Sequence, residues 1–141
     1  DAALTAAETG HLVLSTLHTA GAAQTIDRLV DVFPPHLQQQ TRTILADVLE
    51  GILSQALIPT ADGQGRVAAV EVLLASTAVR NLIREGKTPQ IPGVMETNQR
   101  QGMRSMDQAL VDLYRRANVT AEAISTVTSN PERLQNLVQG R

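Results

Sequence analysis

Residues 8–19 read ETGHLVLSTLHT, an apolar core flanked by two histidines and closed by a threonine. The apolar run Leu12-Val13-Leu14 lies between His11 and the more polar Ser15–His18, with Thr19 following. Gly10 can take the left-handed backbone that closes a helix over Ala2–Thr9. Gly21 follows the stretch, and a new amphipathic pattern starts at Ala22. The order predicted is helix, buried strand, helix, with His18 and Thr19 at the carboxyl end of the strand. Ligands of open α/β sheets bind just beyond such ends, which makes His18 a candidate ligand contact. On spacing alone it is more simply a strand-end histidine bonded to nearby backbone. His11 lies seven residues away. That odd separation turns the two side chains to opposite faces of a regular strand, so no shared metal site is expected.

Ile26, Leu29, Val30 and Phe33 form one helical stripe, stopped by Pro34-Pro35. A long helix is expected from about His36 to Leu57, with a stripe running through Thr41, Leu45, Leu49 and Ala56. Asp62-Gly63-Gln64-Gly65 is a turn, either after that helix or in a hairpin following a short strand at Leu57-Ile58. Arg66–Leu74 alternates as a strand. Glu71 stands inside it among apolar neighbours, as an exposed edge residue or something more specific. Beyond Ser76 the chain reads as helical. Ser76 is a cap with Gly86 past the helix end, Lys87–Gly93 is a proline-bent connector, and Ser105–Gln108 is a capping box. Thr120 and Asn130-Pro131 open two further short helices.

Composition narrows the function. The 141 residues suffice for a sizeable core, yet the only aromatics are Phe33 and Tyr114, so stacking on nucleic-acid bases is not expected. A net charge of -2 with scattered basic residues shows no nucleic-acid patch. There is no cysteine, and no apolar run reaches the roughly 20 residues of a membrane span. A cytoplasmic-type α/β or α+β piece follows.

The quoted stretch also resembles the His box of the secretion-type traffic ATPases, the hexameric motors of type II secretion and type IV pili. AAQTIDRLVDVFPP (22–35) and STAVRNLIREGK (76–87) resemble the pilus retraction branch of that family. The second matches its AIRNLIRE signature, with Val79 in place of the usual isoleucine. The resemblance covers nearly the whole chain, most firmly Leu4–Lys87. It implies an α/β fold: the carboxyl-terminal portion of a RecA-like P-loop ATPase core over 1–75, then a small helical subdomain carrying RNLIRE over 76–141.

In this family the phosphate loop GxxxxGK[ST] and the acidic, magnesium-ordering strand lie upstream of the part matching ALTAAETGHL. No such loop occurs here, and Asp1 opens directly into helical sequence. The expectation is therefore the carboxyl-terminal part of a motor, inactive and nucleotide-free by itself. For the parent, the resemblance implies ATP with Mg2+, a homo-hexamer, and a cytoplasmic position peripheral to the inner membrane. Its partners there would be the base proteins of the pilus. It implies catalytic roles for His18 and, more weakly, His11, and nucleotide contact by His18 and Thr19. Arg80, Asn81, Leu82, Ile83, Arg84 and Glu85 become a retraction motif, with Arg80 and Arg84 on one helix face pointing at another subunit or the pilus base. Arg28 and Arg42 are possible cross-subunit phosphate contacts. Glu8 does not inherit the family's water-activating role, and the histidine often found before the equivalent of Glu71 is Val70 here. One alternative is the extension or secretion-loading branch, which typically carries a four-cysteine insertion absent from this chain. The other is a non-enzymatic binding or scaffold module.

Overall fold

The structure, a computed structural model, describes residues 2–116, 118–128 and 130–139. Helix α1 (Ala2–Glu8) ends as expected at Gly10, whose φ of 88° is the left-handed value. The His11 N–H reaches back to the Ala6 carbonyl and the Gly10 N–H to that of Ala7, the paired closure that satisfies orphan carbonyls. Residues 11–19 then carry neither helix nor strand, and Leu12 and Leu14 are 82% and 87% exposed. This corrects the expected buried strand. A strand needs a neighbour to take its outward N–H and C=O groups, and no strand of the described residues lies beside this arm.

Helices α2 (Ala22–Asp31) and α3 (Pro35–Val48) follow, and Leu49 leaves helical geometry at ψ 129°. Next come strands β1 (Gly51–Pro59) and β2 (Arg66–Leu74), an antiparallel pair in register from Gly51↔Leu74 to Pro59↔Arg66. The helix expected to run to Leu57 thus stops nine residues early, at Val48. Ile52, Ser54, Ala56 and Ile58 face inward at alternate positions, while Leu49, Ile52, Leu53 and Ala56 fit a helical stripe, and pairing with β2 decides between the two periods. Gly51 is forced at the start of β1: a Cβ there would lie 2.9 Å from the Leu73 carbonyl oxygen.

Helix α4 (Thr77–Arg84) is capped by Ser76, whose hydroxyl accepts the Val79 N–H at 3.4 Å. The proline-bent connector proves to be a 3₁₀ turn, Thr88–Gln90, leading into α5 (Ile91–Thr97) with Pro92 in its first turn. A second 3₁₀ turn, Gln99–Gln101, precedes Arg104, which makes an isolated antiparallel bridge to Val72. Helix α6 (Met106–Arg115) opens with the complete capping box of Ser105 and Gln108. Thr120 caps α7 (Ala121–Ser125), and Pro131 opens α8 (Pro131–Gln139).

Two apolar clusters hold these elements. One joins Ile26 and Val30 of α2, Leu45 of α3, Leu73 of β2, and Val79 and Ile83 of α4 with Ile91 and Met95. The other joins Ile58 and Ala69 of the hairpin to Leu110, Ile124 and Leu134 of the last three helices. Full burial of side chains such as Ile83 or Leu110 stabilises by roughly 1.5–3 kcal/mol each. Both clusters draw on residues before and after position 75, so the change from mixed to helical structure there is not a gap in packing.

Candidate functional site

The residues expected to meet a ligand lie on the arm between α1 and α2. His18 is exposed and has no hydrogen-bond partner among the described residues. Its imidazole can therefore turn toward whatever approaches the arm. Thr19 is half-buried, its hydroxyl 2.6 Å from that of Thr25, which in turn donates to the Gly21 carbonyl at 2.8 Å. Thr19 is thus tied to the first turn of α2, while His18 beside it is not. His11 stands at the other end of the arm, Nδ1 lying 3.1 Å from the Thr9 hydroxyl and 3.2 Å from the Ala6 carbonyl. The structure does not bring the two histidines together in one bonded cluster. No group of three or more His, Cys, Asp or Glu suited to a metal occurs among the described residues.

Glu71 has a specific task. The inward side of β2 carries Val67, Ala69, Glu71 and Leu73, so the carboxylate points inward, toward the starts of α2 and α6. There the Ala22 N–H donates to Oε1 at 2.7 Å and the Met106 N–H to Oε2 at 3.2 Å. Alternation in the sequence could have signalled this inward position, but not its two donors. Beside the carboxylate is a cavity of about 200 Å³, lined by Gly21, Ala22, Met106 and Thr128 among others.

The RNLIRE helix, α4, is held differently from expectation. Leu82 and Ile83 pack inward, while Asn81 and Glu85 are exposed. Arg80 turns back onto the carboxyl end of α3. Its Nη1 donates to the carbonyls of Ala46 (2.6 Å) and Asp47 (2.9 Å), and its Nε to that of Ala75 (3.0 Å). Glu50 lies 3.7 Å from its Nη2. Arg84 donates to Asp47 Oδ1 at 2.5 Å and to the Asn81 side-chain oxygen at 3.0 Å. The carboxylates facing the two cations are therefore supplied within this chain. The guanidinium of Arg80 also sits where α3 leaves its last carbonyls unpaired, the negative end of the helix dipole. Of the expected outer face, Arg80 drops out because those carbonyls compete successfully for it.

Arg28 is exposed, whereas Arg42 lies half-buried with Nη1 3.9 Å from Asp27 Oδ1. That same Nη1 is buried without a hydrogen bond among the described residues. In the β1–β2 turn the Thr60 hydroxyl, at 2.6 Å, and the Gln64 N–H, at 3.0 Å, hold the Asp62 carboxyl below its usual range.

The family described as "Type II/IV secretion system protein" matches residues 1–137. A "Twitching motility protein" of Neisseria gonorrhoeae is 52% identical over 130 residues, which cover 92% of this chain and 35% of that protein. The "Type IV pilus retractation ATPase PilT" of Pseudomonas aeruginosa is 45% identical over 130 residues, covering 92% of this chain and 38% of its own length. A crystal structure of the pilus retraction motor PilT with bound ADP is similar at a TM-score of 0.85 and 44% identity, over 96% of this chain and 37% of that one. The chain spans little more than a third of the length of these relatives. Its mixed helix and strand architecture is that of the corresponding part of the PilT ATPase fold. The family's match over nearly every residue, including the arm with its two histidines, establishes that this chain belongs to the type II/IV secretion system proteins.

Proposed function

We propose that this chain is the carboxyl-terminal part of a hexameric, ATP-hydrolysing motor that powers type IV pilus retraction and, through it, twitching motility. The observation that carries this reading is the high identity, over almost the whole chain, to proteins named for twitching motility and pilus retraction. The likeness to an ADP-bound retraction motor supports it.

His18 is the residue on which the chemistry rests. An unengaged imidazole on an extended arm is a donor that can meet developing negative charge on a phosphoryl group, where catalysis is mostly positioning and electrostatic stabilisation. Thr19 adds a hydroxyl at the same end, and His11, anchored to the end of α1, fixes where the arm begins. These residues fit one rim of a nucleotide site. They do not supply the rest: the sequence has no phosphate loop, and the described residues have no acidic cluster for Mg2+. ATP and its metal are held by other parts of the motor, and these residues alone neither bind nor hydrolyse the nucleotide.

The motor works on the cytoplasmic side, peripheral to the inner membrane at the pilus base, where base proteins are its partners. No helix among the described residues is long and apolar enough to cross a membrane. The exposed Asn81 and Glu85 and the outer part of Arg84 form the part of RNLIRE available to another subunit or the base. Arg80 serves that surface by fixing α4 to α3.

The test is His18→Ala in the full-length protein. Phosphate release should fall about 100-fold, the usual effect of removing one such donor, while binding of a fluorescent nucleotide stays near wild type. Unchanged turnover would remove His18 from the chemistry. A wild-type protein that binds nucleotide but never releases phosphate would end the motor reading altogether.

A further inference from the structure

We infer that Glu71 is a positioning residue that couples the His18–Thr19 arm to the carboxyl-terminal helices, through one carboxylate shared by two helix starts. The inference rests on the proposed reading of His18 and Thr19 as nucleotide contacts.

The first-turn N–H groups of a helix have no intrahelical partner, and the positive end of the helix dipole lies there. Helix α2 begins after Gly21, which has no side chain to cap it. Glu71 Oε1 fills that role from 49 residues away by accepting the Ala22 N–H. Its other oxygen accepts the Met106 N–H at the start of α6, 35 residues away on the opposite side. Ser105 and Gln108 already satisfy each other's backbone groups, so Glu71 adds a link that the capping box does not provide.

The connection extends in both directions. On one side the Ala22 N–H shares its peptide group with the Gly21 carbonyl, which accepts from Thr25, whose hydroxyl meets that of Thr19. On the other, Asp107 follows Met106 and accepts the Thr128 hydroxyl at 2.7 Å, tying α6 to the segment before α8. A displacement of Thr19 therefore reaches α6 through hydrogen bonds centred on Glu71 and joined by the Gly21–Ala22 peptide group. The cavity of about 200 Å³ beside the carboxylate leaves space for it to shift without clashing. Glu71 touches no reacting atom. It sets where the arm stands relative to the helices that follow.

The coupling is measurable in this chain without nucleotide. Thr19→Val removes the hydroxyl at the far end of the run, and the amide resonance of Met106 reports the near end. The expected result is a clear Met106 shift on Thr19→Val in the Glu71 background, and its loss in the Glu71→Gln background. Glutamine keeps one acceptor oxygen but cannot accept from both helices. Met106→Pro is the second variant: proline is favoured at the first helical position, so it removes the donor without breaking the helix. With Met106→Leu as the control for the side chain packed on the second cluster, only the proline variant should stop the Ala22 amide responding to changes on the α6 side. In the full-length motor, Glu71→Gln should lower kcat about tenfold with little change in KM for ATP, because a misplaced group costs turnover more than binding. A Met106 amide indifferent to Thr19→Val, or equally responsive with Glu71→Gln, overturns the inference whatever the enzyme does. Resonance coupling without any change in kcat overturns the transmission role alone. A wild-type motor lacking ATP turnover would instead count against the proposed function and leave the resonance result standing.

Discussion

The arm at residues 11–19 and strand β2 are nine residues each, both rich in β-branched and aliphatic side chains, and they end up in opposite states. In β2, Ala69 and Leu73 are buried, Leu73 completely, and the backbone is laddered to β1. On the arm no residue is buried and no ladder forms. Intrinsic preference for extended geometry is similar, so the difference is the neighbour. β1 supplies nine register pairs to β2, and nothing among the described residues supplies any to the arm. Strand propensity is a preference for a half-buried pleated surface, and it has no effect where that surface is absent.

The sharpest way to break this contrast is to truncate matching leucines. Leu73→Ala should destabilise the fold by about 3 kcal/mol, since it empties a fully packed site. Leu14→Ala, on the exposed arm, should stay within about 0.5 kcal/mol. Urea midpoints of the two variants measure the difference directly, and equal losses would mean that the arm is packed in solution.

A smaller effect tests what holds the hairpin's flank. Arg80→Ala removes charged donors from the last carbonyls of α3 and should lower stability by about 1.5 kcal/mol, with Arg80→Lys recovering only part of it. Hydrogen exchange at the end of α3 should rise in the alanine variant. If only exchange on the arm rose, the clamp would belong to the wrong region.

The smallest effect lies in the β1–β2 turn. Asp62 has its pKa lowered by the Thr60 hydroxyl and then by the Gln64 N–H. A carboxylate depressed in the folded state adds stability above its unfolded pKa and loses it as pH falls through the folded value. The turn should therefore loosen only in acid, below the ordinary carboxylate range. Thr60→Val should raise the Asp62 pKa toward that range in a carboxyl-carbon titration. An unchanged titration would show that the hydroxyl is not the main cause.

Legibility in the sequence followed how local the cause was. Ser76, the Ser105–Gln108 box, Thr120 and Pro131 act within one helical turn, and each was readable from spacing. β2 was readable because its alternation and the turn before it agree. The end of α3 was not, because residues 49–57 satisfy both a helical and a strand period, and the partner that decides lies on the far side of a turn. His18 and Thr19 stood out through resemblance to a family, since one histidine at a strand end has a simple structural explanation. Glu71 as a double cap was beyond reach: its donors are far apart in sequence and meet only when three elements have packed. Arg80 and Arg84 are four apart on one helix, but the groups they meet on α3 depend on a helix end that the sequence misplaced.

Gly51 has a consequence for how this molecule tolerates mutation. With 2.9 Å between a would-be Cβ and the Leu73 carbonyl oxygen, even alanine has no room unless the two strands part. In a saturation library selected for folding, the column at position 51 should be almost empty, while that at Leu53, exposed on the same strand, should fill with many residue types. Gene variants that reach the hairpin would then be sorted by backbone spacing before side-chain chemistry is ever tested.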